Sequence, residues 1–159
     1  MAQSIGPYLR ENWQRFSNKP CGKWIFSRII GFTVPYTGSI AANVVLLKPG
    51  HGKITLRERR KISNHLRSVH AIALANLSEM VTGLTLLNSL PDDTRGILTS
   101  MQIHYHKKAR GLLTAECVCD IPENNVEREI LVSGEIKDEV GEVVATATAT
   151  WRIGPEKES

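Results

Sequence analysis

Glu79 is the one formally charged residue between Val69 and Leu90, inside the stretch NHLRSVHAIALANLSEMVTGLTLLNSL that begins at Asn64. A carboxylate in so apolar a run is either structural, bonded to backbone or a threonine, or reactive, because loss of hydration makes a carboxylate a stronger base. At ~100° per residue, Ile72, Ala75, Asn76, Glu79, Gly83 and Leu86 fall along one helical stripe with Glu79 in its middle. The helix start, placed near Ser68, is the second chemical feature. Its free backbone N–H groups, from Val69 to Ile72, carry partial positive charge and can hold an anion or a developing oxyanion. Asn64 just before it can donate a side-chain hydrogen bond to the same place. His70 and Glu79 stand nine positions apart, which sets them roughly 13 Å apart along the axis and near opposite faces. One helix therefore cannot bring both to one carbonyl carbon. A site that uses both lies between two chains, and a C2 dimer has two such sites.

The elements that position these groups follow from periodicity. The stretch is rich in Ala, Leu and Met and free of Pro up to Leu90, with apolar residues all round its axis, the pattern of a helix buried on every side. A membrane span needs about 20 apolar residues, but His70, Asn76, Ser78, Glu79, Thr82 and Thr85 interrupt the run, which favours a core helix over a span. Upstream, residues 5 to 30 read as two helices broken at Asn18, Pro20 and Gly22. Leu9, Trp13 and Phe16 make one apolar face and Trp24 to Ile30 a second, for packing on the main body or, alternatively, for a membrane surface. From Ser39 the pattern is strand, then a turn over Pro49 to Gly52, then strand again, a β-hairpin. After the long helix, alternation marks strands over Ile97 to Lys107, Leu112 to Cys119, Ile130 to Ile136 and Val143 to Ile153. The alanines at 145, 147 and 149 call for a bulky neighbour close by, the long helix. The expected architecture is α+β, with an antiparallel sheet curled round one long central helix and extra N-terminal helices: a single domain over 1–159, comprising a helical extension at 1–36 and a core at 37–153. An unpaired sheet edge invites pairing with a second copy.

Composition narrows the classes. A chain 42% hydrophobic and 23% charged has neither the bias of a disordered segment nor that of a fibre. Arg10, Glu11 and Arg15 interrupt the N-terminal stretch where a secretory signal is uninterrupted, and three cysteines fit a reducing compartment, so a cytoplasmic location is expected. Cys117 and Cys119 share a strand face as small fillers. The net charge of +4 suits a phosphorylated partner, but both signs are scattered along the chain, so nucleic acid is the weakest reading. His104 and His106 share a strand face without an evident third ligand, so no metal is expected, and a Cys–His pair through Cys117 or Cys119 has less support still.

At Asn64, His70 and Glu79 the chain resembles the hotdog-fold acyl-CoA thioesterases, particularly the branch typified by the phenylacetate-pathway and Arthrobacter-type 4-hydroxybenzoyl-CoA enzymes. That branch carries an Asn, His-Gly-Gly six residues later, and Asp or Glu nine past the His. The likeness runs from about residue 37 to 153 and includes the QIHYHKKARG segment and the closing GEVVATATATWRI strand; the N-terminal helices look closer to an uncharacterised branch. The resemblance implies a sheet wrapped round the helix and dimers with two interfacial sites, with pairing into tetramers left open. It makes Glu79 the nucleophile or general base, the Ala71 N–H the oxyanion donor, and Asn64 and His70 the groups that orient the thioester or a water. Ala71 and Ile72 replace the two glycines, and their side chains restrict how closely a thioester approaches. The substrate implied is an acyl-CoA, with coenzyme A entering as part of it and no separate cofactor. Arg57, Glu58, Arg59, Arg60 and Lys61, with Lys107, Lys108 and Arg110, form either a solvated face or the contacts to coenzyme A phosphates. The alternative function is a non-catalytic hotdog module that binds acyl-CoA or lipid; no separate hydratase motif speaks for a dehydratase.

Overall fold

A computed structural model describes residues 4–156. Two helices, α1 (Gly6–Phe16) and α2 (Gly22–Thr33), occupy the N-terminal region, and the Asn18–Pro20–Gly22 break separates them as the sequence implied. Leu9 and Phe26 are fully buried. Trp13 meets the Phe26 ring edge-on at 5.1 Å, a contact of about 0.5–1.5 kcal/mol beyond its buried area. A further turn, α3 (Pro35–Gly38), stacks on α2 where Gly38 faces Gly31; a Cβ at Gly38 would overlap the Gly31 backbone. The strand expected from Ser39 therefore begins only at Asn43. Pro35 starts a helical turn in place of a strand, and Ala41, at φ 51°, redirects the chain into the sheet.

The hairpin consists of β1 (Asn43–Lys48) and β2 (His51–Arg57), joined by a two-residue turn, Pro49–Gly50. His51 and Gly52, expected in the turn, belong to β2 and pair with Lys48 and Leu47. The long helix α4 (Ala71–Ser89) follows, then β3 (Thr94–Tyr105), β4 (Leu112–Val118), β5 (Arg128–Lys137) and β6 (Val143–Pro155). All pairings are antiparallel, in the order β1-β2-β4-β5-β6-β3, so β1 and β3 are the edges. Register shifts at Val44/Leu46, Leu98/Ser100 and Ile136/Lys137 bend the sheet. It wraps α4, which touches all six strands.

α4 is long and apolar enough to cross a membrane by length and composition, but most of it is buried inside the fold. Leu77, Val81 and Leu86 are at most 1% exposed, each burial being favourable by about 1.5–3 kcal/mol. Three of its interior hydroxyls are satisfied within the helix: those of Thr82, Thr85 and Ser89 donate to the carbonyls of Ser78, Val81 and Thr85. The alanine row of β6 is buried at 145, 147 and 149, and Gly134 of the neighbouring strand lies against Val81 and Thr82 of the helix. Cys117 and Cys119 do share one face, Cys117 in the core; the neighbouring Cys119 thiol and burial push the Cys117 thiol up.

Candidate functional site

The helix start is built by three loops. The Val69 N–H donates to the Ala109 carbonyl and the His70 N–H to the Ile62 carbonyl, while Ser63 and Val69 form an isolated antiparallel bridge. Helical geometry therefore begins at Ala71, three residues later than the expected start near Ser68, and two of the four amides expected to be free are occupied. A third, Ile72 N–H, donates to Nδ1 of His70, which caps the helix in place of the usual Ser or Asp. Among the described residues the Ala71 N–H has no partner. A ring whose Nδ1 accepts carries its proton on Nε2, so exposed His70 presents Nε2–H as a donor.

Asn64 organises the approach to this helix. Its Oδ1 accepts from the Leu66 and Ser68 amides and the Ser68 hydroxyl. That oxygen is committed to the loop, leaving the amide nitrogen as the group able to reach a ligand. A cavity of about 210 Å³ opens at the helix start, walled by Tyr36, Lys61, Ser63, His70, Ile72 and Asn76, among others, with neither Asn64 nor Ala71 among its walls. Ile72 is 55% exposed at its rim. Two groups that the sequence reading did not place in the site belong to the helix start, Asn76 in the cavity wall and Tyr105 outside it. Tyr105 at the end of β3 donates its hydroxyl to the Ala71 carbonyl at 3.1 Å, tying the edge strand to the first helical turn, and burial raises its pKa. Asn76 donates Nδ2 to the Tyr36 carbonyl at 3.0 Å, while its Oδ1 is buried without a partner among the described residues. Its place on the Glu79 stripe was the available signal for Asn76; nothing in the sequence connects Tyr105 with Ala71.

Glu79 lies elsewhere. It is half-buried in a separate cavity of about 90 Å³ beneath α1, α2 and α3, with Leu9, Ile30, Val34, Gly83, Leu87 and Trp151 among the walls. Its carboxylate accepts no hydrogen bond among the described residues; the Thr82 hydroxyl approaches only its backbone carbonyl. The helix start and Glu79 thus open on different cavities of one chain, as their nine-residue separation requires.

The two basic groups divide. The Glu58 N–H donates to the Gly111 carbonyl, the Gly111 N–H to the Glu58 carboxylate, and Arg110 Nε to the Arg67 carbonyl. These bonds bring Arg57, Arg59 and Arg60 to the same end of the sheet as Lys108 and Arg110, around the start of α4. Arg59 is itself held by the Ser39 carbonyl. Lys107 is turned away into an ion pair with Asp138 and Glu142, whose hydrogen bonds raise its pKa. His106 bonds the Thr146 hydroxyl at 3.0 Å, and no cluster of three His, Cys, Asp or Glu groups suited to a metal occurs among the described residues.

The profile of a family described as a domain of unknown function (DUF4442) matches residues 22–153. The chain belongs to that family. No curated protein sequence matches it significantly. Among solved structures, the genomics target APC5556 shares 29% identity at a TM-score of 0.81, over 94% of this chain and 99% of its own. The Pseudomonas aeruginosa protein PA5026, described as a probable thioesterase, shares 21% at 0.73, over 82% of this chain and 93% of its own. A Streptococcus mutans protein bound to acetyl-CoA shares 19% at 0.61, over 72% and 90%. The fold is the hotdog fold of thioesterases.

Proposed function

We propose that the protein is a cytoplasmic acyl-CoA thioesterase working as a homodimer. The observation that carries the reading is the Ala71 N–H, without a partner among the described residues and next to the exposed His70 cap, on a helix whose Glu79 faces a different cavity. The thioester carbonyl oxygen accepts from the Ala71 amide, and the nucleotide phosphates of coenzyme A lie against Arg57, Arg59, Arg60 and Lys108. Glu79 of the partner subunit takes a proton from a water. The water oxygen bonds to the carbonyl carbon, the carbon–sulfur bond breaks, and the thiolate leaves as protonated coenzyme A beside the free acid. The longer arm of glutamate favours this route over direct attack. No cofactor is required beyond the coenzyme A of the substrate. The unpaired edge of β3 offers the ladder along which a second copy adds.

Proteins described as thioesterases among the structures of like fold, and a further one bound to acetyl-CoA, support this reading. The Asn64, His70 and Glu79 intervals support the finer placement beside the phenylacetate-pathway and 4-hydroxybenzoyl-CoA enzymes. The exposed Ile72 at the cavity rim favours the second reading, a module that binds acyl-CoA without cleaving it. Release of free thiol across a panel of short, aromatic and long acyl-CoAs separates the two. Glu79→Gln should lower turnover by roughly 10²–10⁴-fold while the oligomeric state is unchanged. Undiminished turnover in that variant removes Glu79 from the mechanism, and tight binding without hydrolysis throughout the panel leaves only the binding module.

A further inference from the structure

α2 is apolar on two faces, and the fold covers one of them. Phe26 and Ile30 are packed into the core, at 0% and 3% exposure. On the opposite side Trp24, Arg28 and Phe32 follow one another at successive turns, with half-buried Ile25 and Ile29 beside them. Trp24 is 57% and Phe32 89% exposed, and the chain runs on past the helix through Val34, Pro35 and Tyr36, all exposed. The neighbouring α1 has the outer face of an ordinary surface helix, with Glu11, Gln14 and Arg15 exposed. A helix that is apolar all round is normally covered all round, and nothing among the described residues covers this side of α2. Its indole is held in place. The Arg28 guanidinium sits over the Trp24 ring, 5.7 Å from the centroid, and is itself fixed by donating to the Ala42 carbonyl and to Asn43 Oδ1.

Charge distinguishes among the surfaces that could cover this face. The sequence has no Asp or Glu between Glu11 and Glu58, and Arg15, Lys19, Lys23 and Arg28 all fall inside that run. None of these cations forms an ion pair among the described residues. A second copy seated here about a two-fold axis would set the same cations against their own kind. Projecting aromatic rings flanked by cations without acidic counterparts suit a lipid interface, where rings lie at the boundary of headgroups and acyl chains and amines lie among the phosphates.

We propose that the outer face of α2 adsorbs the protein to an anionic lipid bilayer, with Trp24, Phe32 and Tyr36 in the headgroup boundary and Arg15, Lys19 and Lys23 against the lipid phosphates. This rests on nothing in the thioesterase reading.

The test is co-sedimentation of the full chain with vesicles of phosphatidylcholine alone and of phosphatidylcholine mixed equally with phosphatidylglycerol. The mixed vesicles should bind at least about tenfold more tightly at low salt, and the difference should fade at high salt. Trp24→Ala and Phe32→Ala should each weaken binding about tenfold, and Arg15→Gln and Lys19→Gln roughly fivefold each. Lipid brominated near the headgroup end of its acyl chains should quench the fluorescence of the native protein, because Trp24 is exposed while Trp13 is half-buried and Trp151 is buried. That readout stands even where a variant fails to fold. No binding to the mixed vesicles, equal binding to both kinds, or unquenched fluorescence overturns the proposal. Binding to polyglutamate without binding to vesicles overturns it in favour of an acidic protein. Vesicle binding unchanged in both aromatic variants overturns it as well, and a lowered oligomer mass in those variants then assigns the face to a second copy.

Discussion

Gly83→Ala sets two opposing magnitudes against each other at the Glu79 cavity. Alanine in place of glycine in a helix interior ordinarily stabilises by about 0.8–1 kcal/mol. Here the added methyl would meet Trp151 at 2.9 and 3.0 Å, inside any normal carbon–carbon contact. The indole has little freedom to move away, because β6 is paired on both sides, with Trp151 opposite Leu98 on β3 and Ile130 on β5. Overpacking of this kind costs about 1–3 kcal/mol, so the substitution should destabilise by about 1 kcal/mol net. Urea unfolding followed by circular dichroism gives the difference, provided the slope is unchanged. A second measurement isolates the cause: phenylalanine lacks the outer part of the indole, so Gly83→Ala should become stabilising in a Trp151→Phe background. A gain of about 1 kcal/mol in the native background would show that the indole yields freely, and the close-packing argument would be wrong.

Two further outcomes are expected. Burial pushes the Glu116 carboxyl up, but hydrogen bonds from Lys53 and His51 outweigh it and hold the pKa below the ordinary value. A carboxyl lowered in the folded state stabilises at neutral pH and loses that contribution as pH falls through its folded pKa; Glu116→Gln should therefore narrow the difference in urea midpoint between about pH 7 and about pH 3.5. Reversing the exposed charges at Arg60 and Lys108 should raise KM for acyl-CoA by roughly three- to tenfold at low salt, with kcat held and the effect fading at high salt; an equal rise for the matching pantetheine thioester, which lacks the nucleotide phosphates, would remove these residues from phosphate recognition.

Much of the fold was legible because α4 and β6 carry periodicities that tertiary contacts merely complete. The apolar girdle of α4 announced burial, and the small residues of β6 announced close approach to it. Where local signals competed, the reading slipped. Residues 39–42 look like strand, but Pro35 and the contact of Gly31 with Gly38 favour a helical turn first. The helix start moved from near Ser68 to Ala71 because Val69 and His70 give their amides to Ala109 and Ile62, partners 40 and 8 residues away in the chain. The Lys107 pairing with Asp138 and Glu142 was equally invisible, since a lysine beside Lys108 gives no hint of which carboxylates will fold against it.

By itself the sequence determined that a buried helix carries one carboxylate and that nine residues separate it from His70, because helical rise and rotation follow from chain geometry alone. Tertiary structure decided which amide of the helix start is left without a partner among the described residues, and that Lys107 is drawn away into a pair with Asp138 and Glu142. Those depend on which distant segments pack together, and no local periodicity encodes that.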